Sequence, residues 1–516
     1  MAVPNYDWIA YHASVQGDRT ALHDLSTGRT LTYRAFDRRI GCLATALRDR
    51  YGVGRGDRVV VLSHNSSDTF EIQFACARLA ATLVPVNWRL AIPELRYILG
   101  DAQPTLLIHD PEFEEAALDL VQSCGVRHLL VHETTAHPLD SAYERLLAEH
   151  DPLPVIERTT HDDVATILYT SGTTGHPKGA AITFGMRFWQ AINLSGPTRI
   201  SADSVTLTVL PLFHVGGLEV YANPVFHFGG TVLVMRGFDA ADCLRVLTDE
   251  SAGVTLFIGV PAHFLFMSQL PAFATASFHP GLVATVGAAP MPVVQLQQWA
   301  ERGLVLQQLY GMTETCGGVT ALDPGECVRK AGSSGKPLLH MELRLVTPDG
   351  RETADNETGE IWVRGPSVTP GYWNNAAANE SAFTNGWLRT GDAAVRDSEG
   401  FLFIVDRWKD MYISGGENVY PAEVEAVLYQ LPGIAEVAII GVADERWGEV
   451  GRAIVAVKPD CVVTEADIMH HCDGNLARYK QPRSVRFVAA LPRNATGKVH
   501  KPTLRLAFGD GAASNG

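Results

Sequence analysis

A stretch of ten residues combines glycines, hydroxyl side chains and one lysine directly after an apolar run. The run is Val164–Tyr169, which is typical of a buried strand. The stretch reads Thr170, Ser171, Gly172, Thr173, Thr174, Gly175, His176, Pro177, Lys178 and Gly179. Glycines let backbone N–H groups approach an anion closely, and hydroxyls add further donors. Because Lys178 adds a positive charge on a flexible side chain, we predict a phosphate-binding loop here.

This loop differs from the common P-loop, which reads G-x-x-x-x-G-K-[ST] and uses the hydroxyl after its lysine to hold magnesium. Here Pro177 precedes Lys178 and Gly179 follows it. A magnesium ion would therefore be held by residues elsewhere in the chain. A polar surface loop is the alternative interpretation, and the specific order of the ten residues argues against it.

Three further predicted strands also end in loops that contain glycine. They are Val205–Leu210 before Pro211–Gly217, Leu282–Val286 before Gly287–Pro290, and Leu304–Gln308 before Tyr310–Thr315. In open α/β sheets, ligands bind outside the carboxyl ends of the strands. We therefore expect the loops to share one site.

The pattern of apolar residues predicts an α/β fold in several parts. Short apolar runs alternate with helical patterns from Ala21 to Arg302, as in Arg34–Arg50 with its apolar positions Phe36, Ile40, Leu43 and Leu47. This alternation predicts parallel or mixed sheets covered by helices. Short strands and turns beyond Gly332 indicate a β-rich subdomain, and a compact α+β pattern follows the charged segment Asp406–Asp410. We predict a large N-terminal domain (1–405), a hinge (406–410) and a small mobile C-terminal domain (411–516).

Composition excludes several classes of protein. The 516 residues carry a net charge of −15, which argues against a nucleic-acid-binding surface. The eight cysteines are scattered without a C-x-x-C pair, so neither a zinc site nor a disulfide scaffold is indicated. The start of the chain, Met1–Asp7, lacks the features of a signal peptide, and no run approaches the ~18 apolar residues of a membrane span. We therefore expect a cytoplasmic protein without an integral membrane segment.

From Ala21 to Lys498, the order of these motifs resembles the acyl-adenylate-forming superfamily of AMP-binding enzymes. Within it, the chain is similar to AMP-forming acyl-CoA synthetases, including feruloyl- and coumarate-CoA ligases and fatty-acid-CoA ligases. The resemblance implies two half-reactions. A carboxylic acid reacts with ATP to give an acyl-adenylate and pyrophosphate, and CoA then gives an acyl-CoA and AMP. It also implies that the C-terminal domain rotates between the two steps.

The resemblance also implies a nucleotide site. Tyr310 would offer a flat face to adenine, and Asp392 would accept both ribose hydroxyls because a carboxylate has two oxygens. Glu314 would hold Mg²⁺, a hard cation that prefers oxygen ligands. The residues implied in ATP and AMP binding are Thr170, Ser171, Gly172, Thr173, Thr174, Gly175, Lys178, Gly287, Ala288, Ala289, Pro290, Tyr310, Gly311, Met312, Asp392, Arg407 and Asn418.

The same resemblance assigns catalytic and CoA-binding positions. Lys498 would reach the carboxylate and the α-phosphate during adenylation and neutralise charge there. The catalytic set is Lys498, Thr313, Glu314 and His214. Lys409 matches the hinge position, where the backbone rotates. The CoA pantetheine would pass Ser414, Gly415 and Gly416.

The acid would lie in a pocket after Phe213. The residues implied in acid binding are His214, Gly216, Gly217, Leu218, Tyr221 and Leu309. Val215–Leu218 carry no charge, so we expect an acid without an α-amino group. Two positions depart from relatives: Phe184 follows Thr183 where many have histidine, and Leu309 stands where plant coumarate ligases have glycine. The depth of the pocket therefore stays open.

Several substrates fit this pattern. We favour a phenylpropenoic acid such as ferulate or coumarate, with a medium- or long-chain fatty acid as the alternative. A stand-alone adenylation enzyme that loads a carrier protein is the rival from another class, and a nucleotide-binding regulator without turnover is disfavoured because Lys178, Glu314, Asp392, Arg407 and Lys498 are all present. The expected small molecules are the acid, ATP, Mg²⁺ and CoA. The oligomeric state stays open, a homodimer included.

Overall fold

The computed structural model describes residues 2–131, 142–153, 156–170, 177–407, 410–414, 417–444, 446–459, 461–473, 475–494 and 497–509. Within these ranges, the fold is the α/β architecture predicted above, with a β-rich part and a small C-terminal part. No helix in the described ranges is long and apolar enough to cross a membrane.

The first part of the chain contains eight strands, of which the third to the eighth form a six-stranded sheet and the first two join the nine-stranded sheet described below. Its elements are α1 (Trp8–Gln16), β1 (Thr20–Asp24), β2 (Thr30–Thr32), α2 (Tyr33–Tyr51), β3 (Arg58–Leu62), α3 (Ser67–Arg78), β4 (Thr82–Pro85), α4 (Ile92–Ala102), β5 (Leu106–His109), α5 (Glu114–Cys124), β6 (His128–Val131), α6 (Ala142–Ala148), β7 (Val164–Thr170), β8 (Lys178–Thr183) and α7 (Phe184–Thr198). The strand order is β6-β5-β3-β4-β7-β8, and only β8 runs antiparallel to its neighbour. Buried apolar runs such as β3 suit a sheet covered on both faces.

The second part builds a nine-stranded sheet. It adds β9 (Val205–Thr208), α8 (Val215–Leu218), α9 (Ala222–Phe228), β10 (Thr231–Val234), α10 (Ala240–Thr248), β11 (Leu256–Gly259), α11 (Pro261–Ser268), β12 (Val283–Val286), α12 (Val293–Glu301), β13 (Leu306–Tyr310), β14 (Thr320–Ala321) and β15 (Lys336–Pro337). The order is β15-β14-β13-β12-β11-β9-β10-β1-β2, in which β9, β11, β12 and β13 are parallel neighbours. The loops that follow β9, β12 and β13 therefore lie at one edge, as predicted.

The bounds of two predicted strands differ from the observed ones. The strand predicted at Leu304–Gln308 is observed at Leu306–Tyr310, so Tyr310 ends the strand and is not part of the loop. The strand predicted at Val205–Leu210 ends at Thr208. A backbone hydrogen bond from Val319 N to Tyr310 O explains the longer end of β13, because β14 pairs with it there.

The remaining chain forms two smaller sheets. The β-rich part contains β16 (Glu342–Val346), β17 (Gly359–Arg364), α13 (Ala376–Ala382), β18 (Phe383–Thr384), β19 (Trp387–Arg396) and β20 (Leu402–Arg407). The C-terminal part contains β21 (Tyr412–Ser414), β22 (Glu417–Val419), α14 (Pro421–Leu428), β23 (Ile434–Asp444), β24 (Gly448–Val457), α15 (Glu465–Cys472), β25 (Ser484–Phe487) and α16 (Lys501–Phe508). Each set of strands pairs within itself, in five-stranded sheets.

Local sequence explains why α2 forms where it does. The Thr32 hydroxyl accepts a hydrogen bond from Ala35 N and caps the first turn. Gly52 ends the helix with a φ of 66°, a conformation that glycine adopts without strain. Phe36, Ile40 and Leu43 on its apolar face are fully buried. The predicted helix and its predicted face are confirmed.

A charged cluster is buried where α2, α3 and α6 meet, and we define it as Arg29, Arg39, Glu71 and Glu144. Arg39 donates to Glu71 at 2.5 Å and to Glu144 at 2.7 Å. Arg29, from the turn between β1 and β2, donates to Glu144 at 2.7 Å. Glu71 is fully buried, and burial raises the pKa of its carboxyl. The cluster therefore ties the β1–β2 hairpin to helices that flank the other sheet.

Candidate active site

Tyr310 and Asp392 meet between the nine-stranded sheet and the β-rich part. Tyr310 ends β13, and its hydroxyl donates to Asp392 Oδ2 at 2.8 Å. Asp392 lies in β19, opposite Arg407 of β20. The structure thus brings together the predicted adenine and ribose positions from segments about 80 residues apart.

Glu314 lies in the short 3₁₀-helix Thr313–Thr315 that follows this strand. Its side chain is 5% exposed, and Oε1 accepts a hydrogen bond from the Tyr372 hydroxyl at 2.7 Å. Lys178 Nζ lies 5.4 Å from the centroid of the same tyrosine ring. Tyr372 therefore connects the predicted magnesium ligand with the lysine of the phosphate loop. Nothing in the sequence around Tyr372 links it to either residue.

The donor chemistry of this edge fits a magnesium ion. Magnesium is usually bound by one or two carboxylates together with substrate phosphates and water. Glu314 supplies such a carboxylate close to Lys178. Within the described ranges, one group of three potential metal ligands lies elsewhere, at His64, Asp110 and Glu112. Arg236 donates to Glu112 at 2.6 Å, so this second group already holds a positive charge.

Close backbone approaches shape the loops around Tyr310. A Cβ at Gly311 would lie 1.9 Å from Gly317 O, so this position requires glycine. Met312 O accepts a hydrogen bond from Gly317 N, which closes the loop. A Cβ at Gly287 would lie 3.3 Å from Leu309 O, so the turn of Gly287, Ala288, Ala289 and Pro290 begins directly beside β13. The turn and Tyr310 are neighbours, as expected for two sides of one pocket.

His214 and Lys498 approach one another although they lie far apart in the sequence. His214 precedes α8, and its Nε2 is enclosed with no hydrogen-bond partner among the described residues. Burial, together with the positive charges of Lys498 and Arg89, lowers the pKa of His214 to about 3. The imidazole is therefore neutral at neutral pH. Such a group can accept or donate one hydrogen bond to a ligand.

The segment that carries Lys498 packs against the nine-stranded sheet. A Cβ at Gly497 would lie 3.1 Å from Val260 Cγ2, and the Arg493 guanidinium lies 5.9 Å from the Phe266 ring. Lys498 N donates to Asn494 Oδ1 at 3.0 Å, which holds the turn. The C-terminal part thus covers the same edge at which His214 and Glu314 lie.

Most of the residues predicted to bind the acid are buried, and they carry no charge at neutral pH. Leu218 and Tyr221 are buried, and the Tyr221 hydroxyl bonds to Thr285 Oγ1. A Cβ at Gly217 would lie 2.3 Å from Pro211 O, whereas one at Gly216 would meet only Leu210 Cδ1 at 3.0 Å. Gly217 is therefore needed for the backbone, and Gly216 faces a side chain that can move. Leu309 is 8% exposed at the end of β13.

A buried charge that the sequence pattern does not reveal lies beside this pocket. Glu219 directly follows the uncharged segment Val215–Leu218 and is 1% exposed. Arg187 of α7 donates to it at 2.9 Å, and Asn223 donates at 2.7 Å. Arg187 also bonds to Gln73 at 3.3 Å. Because Glu219 is paired, it does not provide a free anion that would hold an amino group.

Part of the predicted site lies outside the described residues. These positions are Ser171, Gly172, Thr173, Thr174, Gly175, Lys409, Gly415 and Gly416. Thr170 ends β7 and pairs with Lys178 at the start of β8, so the phosphate loop joins two antiparallel strands of the six-stranded sheet. Ser414 ends β21, and Asn418 lies in β22.

Comparison with known proteins identifies the family. Residues 9–373 match the AMP-binding enzyme family, and residues 423–498 match the AMP-binding enzyme C-terminal domain. The chain belongs to the AMP-binding enzymes. As the sequence predicted, this AMP-binding enzyme is an acid–thiol ligase, an AMP-forming acyl-CoA ligase with ATP and CoA as substrates.

Three relatives of this AMP-binding enzyme span nearly its whole length. An indoleacetate–CoA ligase from Aromatoleum aromaticum is 39% identical over 97% of this chain and 97% of its own. A feruloyl-CoA synthase from an Amycolatopsis species is 39% identical over 93% of this chain and 95% of its own. The ATP-bound structure of MatB from Rhodopseudomonas palustris has a TM-score of 0.89 at 30% identity, over 98% of this chain and 99% of that one.

Proposed function

We propose that this ligase activates an aryl-bearing carboxylic acid, and we favour a phenylpropenoic acid such as ferulate or coumarate. The observation that carries the proposal is the approach of Lys498 to His214 beside an uncharged pocket, at the edge that also holds Glu314 and Tyr310. This arrangement supports an acid carboxylate placed between the lysine ammonium and the nucleotide phosphates.

In the first half-reaction, an acid carboxylate oxygen attacks the α-phosphorus of ATP and pyrophosphate leaves. Lys498 neutralises the negative charge that grows on the phosphate oxygens, and Thr313 donates a hydroxyl there. Glu314 and the nucleotide phosphates would hold Mg²⁺, which would supply further positive charge at the phosphates. Asp392 and Arg407 hold the ribose, and Tyr310 together with Gly287–Pro290 encloses the adenine.

In the second half-reaction, the CoA thiol loses its proton to solvent and its sulfur attacks the acyl carbonyl carbon; the bond from that carbon to the phosphate oxygen breaks, and AMP leaves as a phosphate monoester. We propose that Ser414, Gly415 and Gly416 line the pantetheine path. His214 lies between the acyl group and this path and stays neutral, so it does not repel the acyl-adenylate or the thiol by charge. An uncharged pocket wall favours the apolar part of the acid.

The class of acid is supported by the pocket and by the relatives. Leu218, Tyr221 and Leu309 offer apolar surface for a ring. Glu219 is paired with Arg187, so an α-amino group would lack a free anion there. The names of two relatives specify indoleacetate and ferulate, which are both aryl acids. These observations favour an aryl acid over a fatty acid.

A panel of acids tests this proposal. AMP release is measured for ferulate, coumarate, indole-3-acetate, octanoate, butanoate and phenylalanine, each with and without CoA. We expect CoA-dependent AMP release and the highest kcat/KM with an aryl acid. A preference for octanoate would replace the aryl acid with a fatty acid. AMP release that depends on a carrier protein and not on CoA would contradict the proposed thiol acceptor.

We also propose the domain limits 1–405 and 411–516, with a hinge at 406–410 that allows the C-terminal domain to rotate. The strands of the C-terminal sheet pair within that sheet, and β20 ends at Arg407. Proline fixes φ and removes a backbone donor. Lys409→Pro should therefore trap one arrangement and spare one half-reaction. Parent rates in both half-reactions would show that the hinge lies elsewhere.

A further inference from the structure

Helix α7 presents three polar side chains at a spacing of three residues, and all three are buried: Arg187, Gln190 and Asn193. Arg187 is engaged by Glu219 and Gln73, and Asn193 Oδ1 accepts from His340 N at 3.1 Å. Asn193 Nδ2 has no partner among the described residues, and Gln190 differs in that both of its amide atoms lack one. Its side chain is fully buried, and neither Nε2 nor Oε1 has a hydrogen-bond partner among the described residues.

The Gln190 amide lies against the backbone that follows the Glu314 loop. A Cβ at Gly318 would lie 3.0 Å from Gln190 Nε2 and 3.4 Å from Oε1. A Cβ at Gly317 would lie 3.3 Å from the same nitrogen and 2.7 Å from Val220 Cγ2. Both glycines lack the side chain that would cover the amide. Val215 Cγ2 lies 3.7 Å from the Cβ position of Gly317, so the amide lies near the stretch that follows His214.

An unpaired buried amide is costly. Leaving a buried donor or acceptor unsatisfied costs about 1–3 kcal/mol, which is why nearly all such groups have partners. Gln190 has two such atoms, and they lie between the backbone that follows the Glu314 loop and the segment that follows His214. A ligand that supplies one donor and one acceptor there would satisfy both.

We propose that Gln190 selects acids that carry a neutral hydrogen-bonding group, such as a hydroxyl, at the end remote from the carboxylate. This proposal rests on the proposed function. A phenolic hydroxyl both donates and accepts, so it complements the amide oxygen and the amide nitrogen. Arg187 is already paired with Glu219, so it does not favour a second carboxylate at this end. The acid is thus recognised at its carboxylate by Lys498 and at its far end by Gln190.

The test compares acids of equal shape. 4-Hydroxycinnamate and 4-methylcinnamate differ by a hydroxyl in place of a methyl group, and 8-hydroxyoctanoic acid and nonanoic acid give an aliphatic pair with the same exchange. In the parent enzyme, we expect kcat/KM to favour the hydroxylated member by at least ~10-fold, because a site that hydrogen-bonds a hydroxyl rejects the analogue without it. Gln190→Leu should reduce that ratio to about 1 or invert it.

Gln295→Leu is the matched control. Gln295 lies in α12, and its Oε1 is also buried without a partner among the described residues, but it is not part of the pocket. This variant should keep the parent ratio. Gln190→Asn, which withdraws the amide by one methylene, should give an intermediate ratio and covers the case that Gln190→Leu does not fold.

Several outcomes would overturn the inference. A parent ratio near 1 for every reactive pair would mean that the amide is satisfied by water and does not read the acid. A high ratio that survives in Gln190→Leu or Gln190→Asn would mean that another residue reads the hydroxyl. In both cases AMP release shows that the proposed ligase activity stands. No AMP release with any acid would overturn the proposed function, and the inference with it.

Discussion

The charged cluster (Arg29, Arg39, Glu71 and Glu144) and the acid pocket both bury polar side chains, and they satisfy them differently. In the cluster, Arg39 makes hydrogen bonds to both Glu71 and Glu144 through three of its nitrogens. In the pocket, the His214 Nε2 atom and both Gln190 amide atoms are buried without partners among the described residues. The cluster is complete within the protein, whereas the proposed function and the inference about Gln190 assign the unpaired atoms of the pocket to a bound acid.

This difference predicts which property each region controls. Groups that are satisfied within the fold contribute to folding, and their loss leaves partners buried and unpaired. Groups that are left for a ligand contribute to catalysis and specificity, and their loss has little effect on folding. The same helix shows both kinds, because Arg187 and Gln190 are one turn apart on α7.

The largest effect should come from Lys498, which is one of the groups that act on a ligand. Lys498→Ala removes the positive charge next to the reacting phosphate, so acyl-adenylate formation should fall by ~10²–10⁴-fold. Thioester formation from supplied acyl-adenylate should fall far less, and the melting temperature should not change. Pyrophosphate release and single-turnover thioester formation measure the two steps.

Lys458→Ala, an exposed lysine of the same C-terminal part, is the control for Lys498→Ala and should leave both steps intact. Equal losses in the two half-reactions of Lys498→Ala would mean that this lysine acts through folding or domain position. Lys498 would then resemble the residues of the charged cluster, which contribute to the fold and not to the chemistry.

The next effect should come from Arg39, on the folding side. Arg39→Met leaves Glu71 buried without its hydrogen-bonded cation and leaves Glu144 with Arg29 alone, which should lower the free energy of unfolding by ~3–5 kcal/mol. The kcat/KM per folded molecule should stay within about twofold of the parent, since the cluster does not reach the site. Urea titration and active-site titration measure the two quantities. Arg48→Met removes an exposed pair with Asp49 and should leave the free energy of unfolding nearly unchanged.

Local features of the fold could be predicted from the sequence. The apolar spacing of Phe36, Ile40 and Leu43 is set by the helical period, and all three are buried in α2. The strand Val164–Thr170 and the turn at Gly287 follow from apolar runs that end in glycine. Such signals depend on neighbours in sequence, and the sequence displays them directly.

Long-range contacts could not be predicted. β1 pairs with β10 through Leu22 and Val232, which places an early strand in the nine-stranded sheet, and no local pattern encodes that partner. Tyr372 reaches Glu314, and Gln190 reaches Gly318, only once three separate segments have packed. Gln190 is one of several polar residues in α7, and the sequence alone does not show that its side chain is buried.

A smaller effect should come from Leu309 at the pocket wall. Leu309→Gly would free a volume of roughly four heavy atoms, and each methylene that fills it contributes ~0.8 kcal/mol. We expect kcat/KM to shift toward longer or more substituted acids by ~10–200-fold. Measurements with butanoate, octanoate, coumarate and ferulate give the ranking, and Gly216→Trp should exclude the ring-bearing acids while ATP binding persists.

An unchanged ranking among the four acids in both variants would place the acid elsewhere. Leu309 and Gly216 would then contribute to the packing of the core and not to the binding of the acid.

The smallest effect concerns His263, which is buried but belongs to neither region. It stacks on Phe238 with ring centroids 3.9 Å apart, and burial, together with the positive charge of Arg493, lowers its pKa to about 3. Since its unfolded pKa is about 6.5, the unfolded chain binds a proton first as the pH falls. The contribution of neutral His263 to the free energy of unfolding is therefore fully present above pH ~6.5 and is lost as the pH falls toward ~3. At pH 5.5 the loss should be ~1.4 kcal/mol relative to pH 7.5.

His263→Phe keeps the stacking and cannot be protonated, so the difference in unfolding free energy between the two pH values should shrink by about that amount. An unchanged difference would mean that the folded protein takes up the proton at His263 as readily as the unfolded chain does.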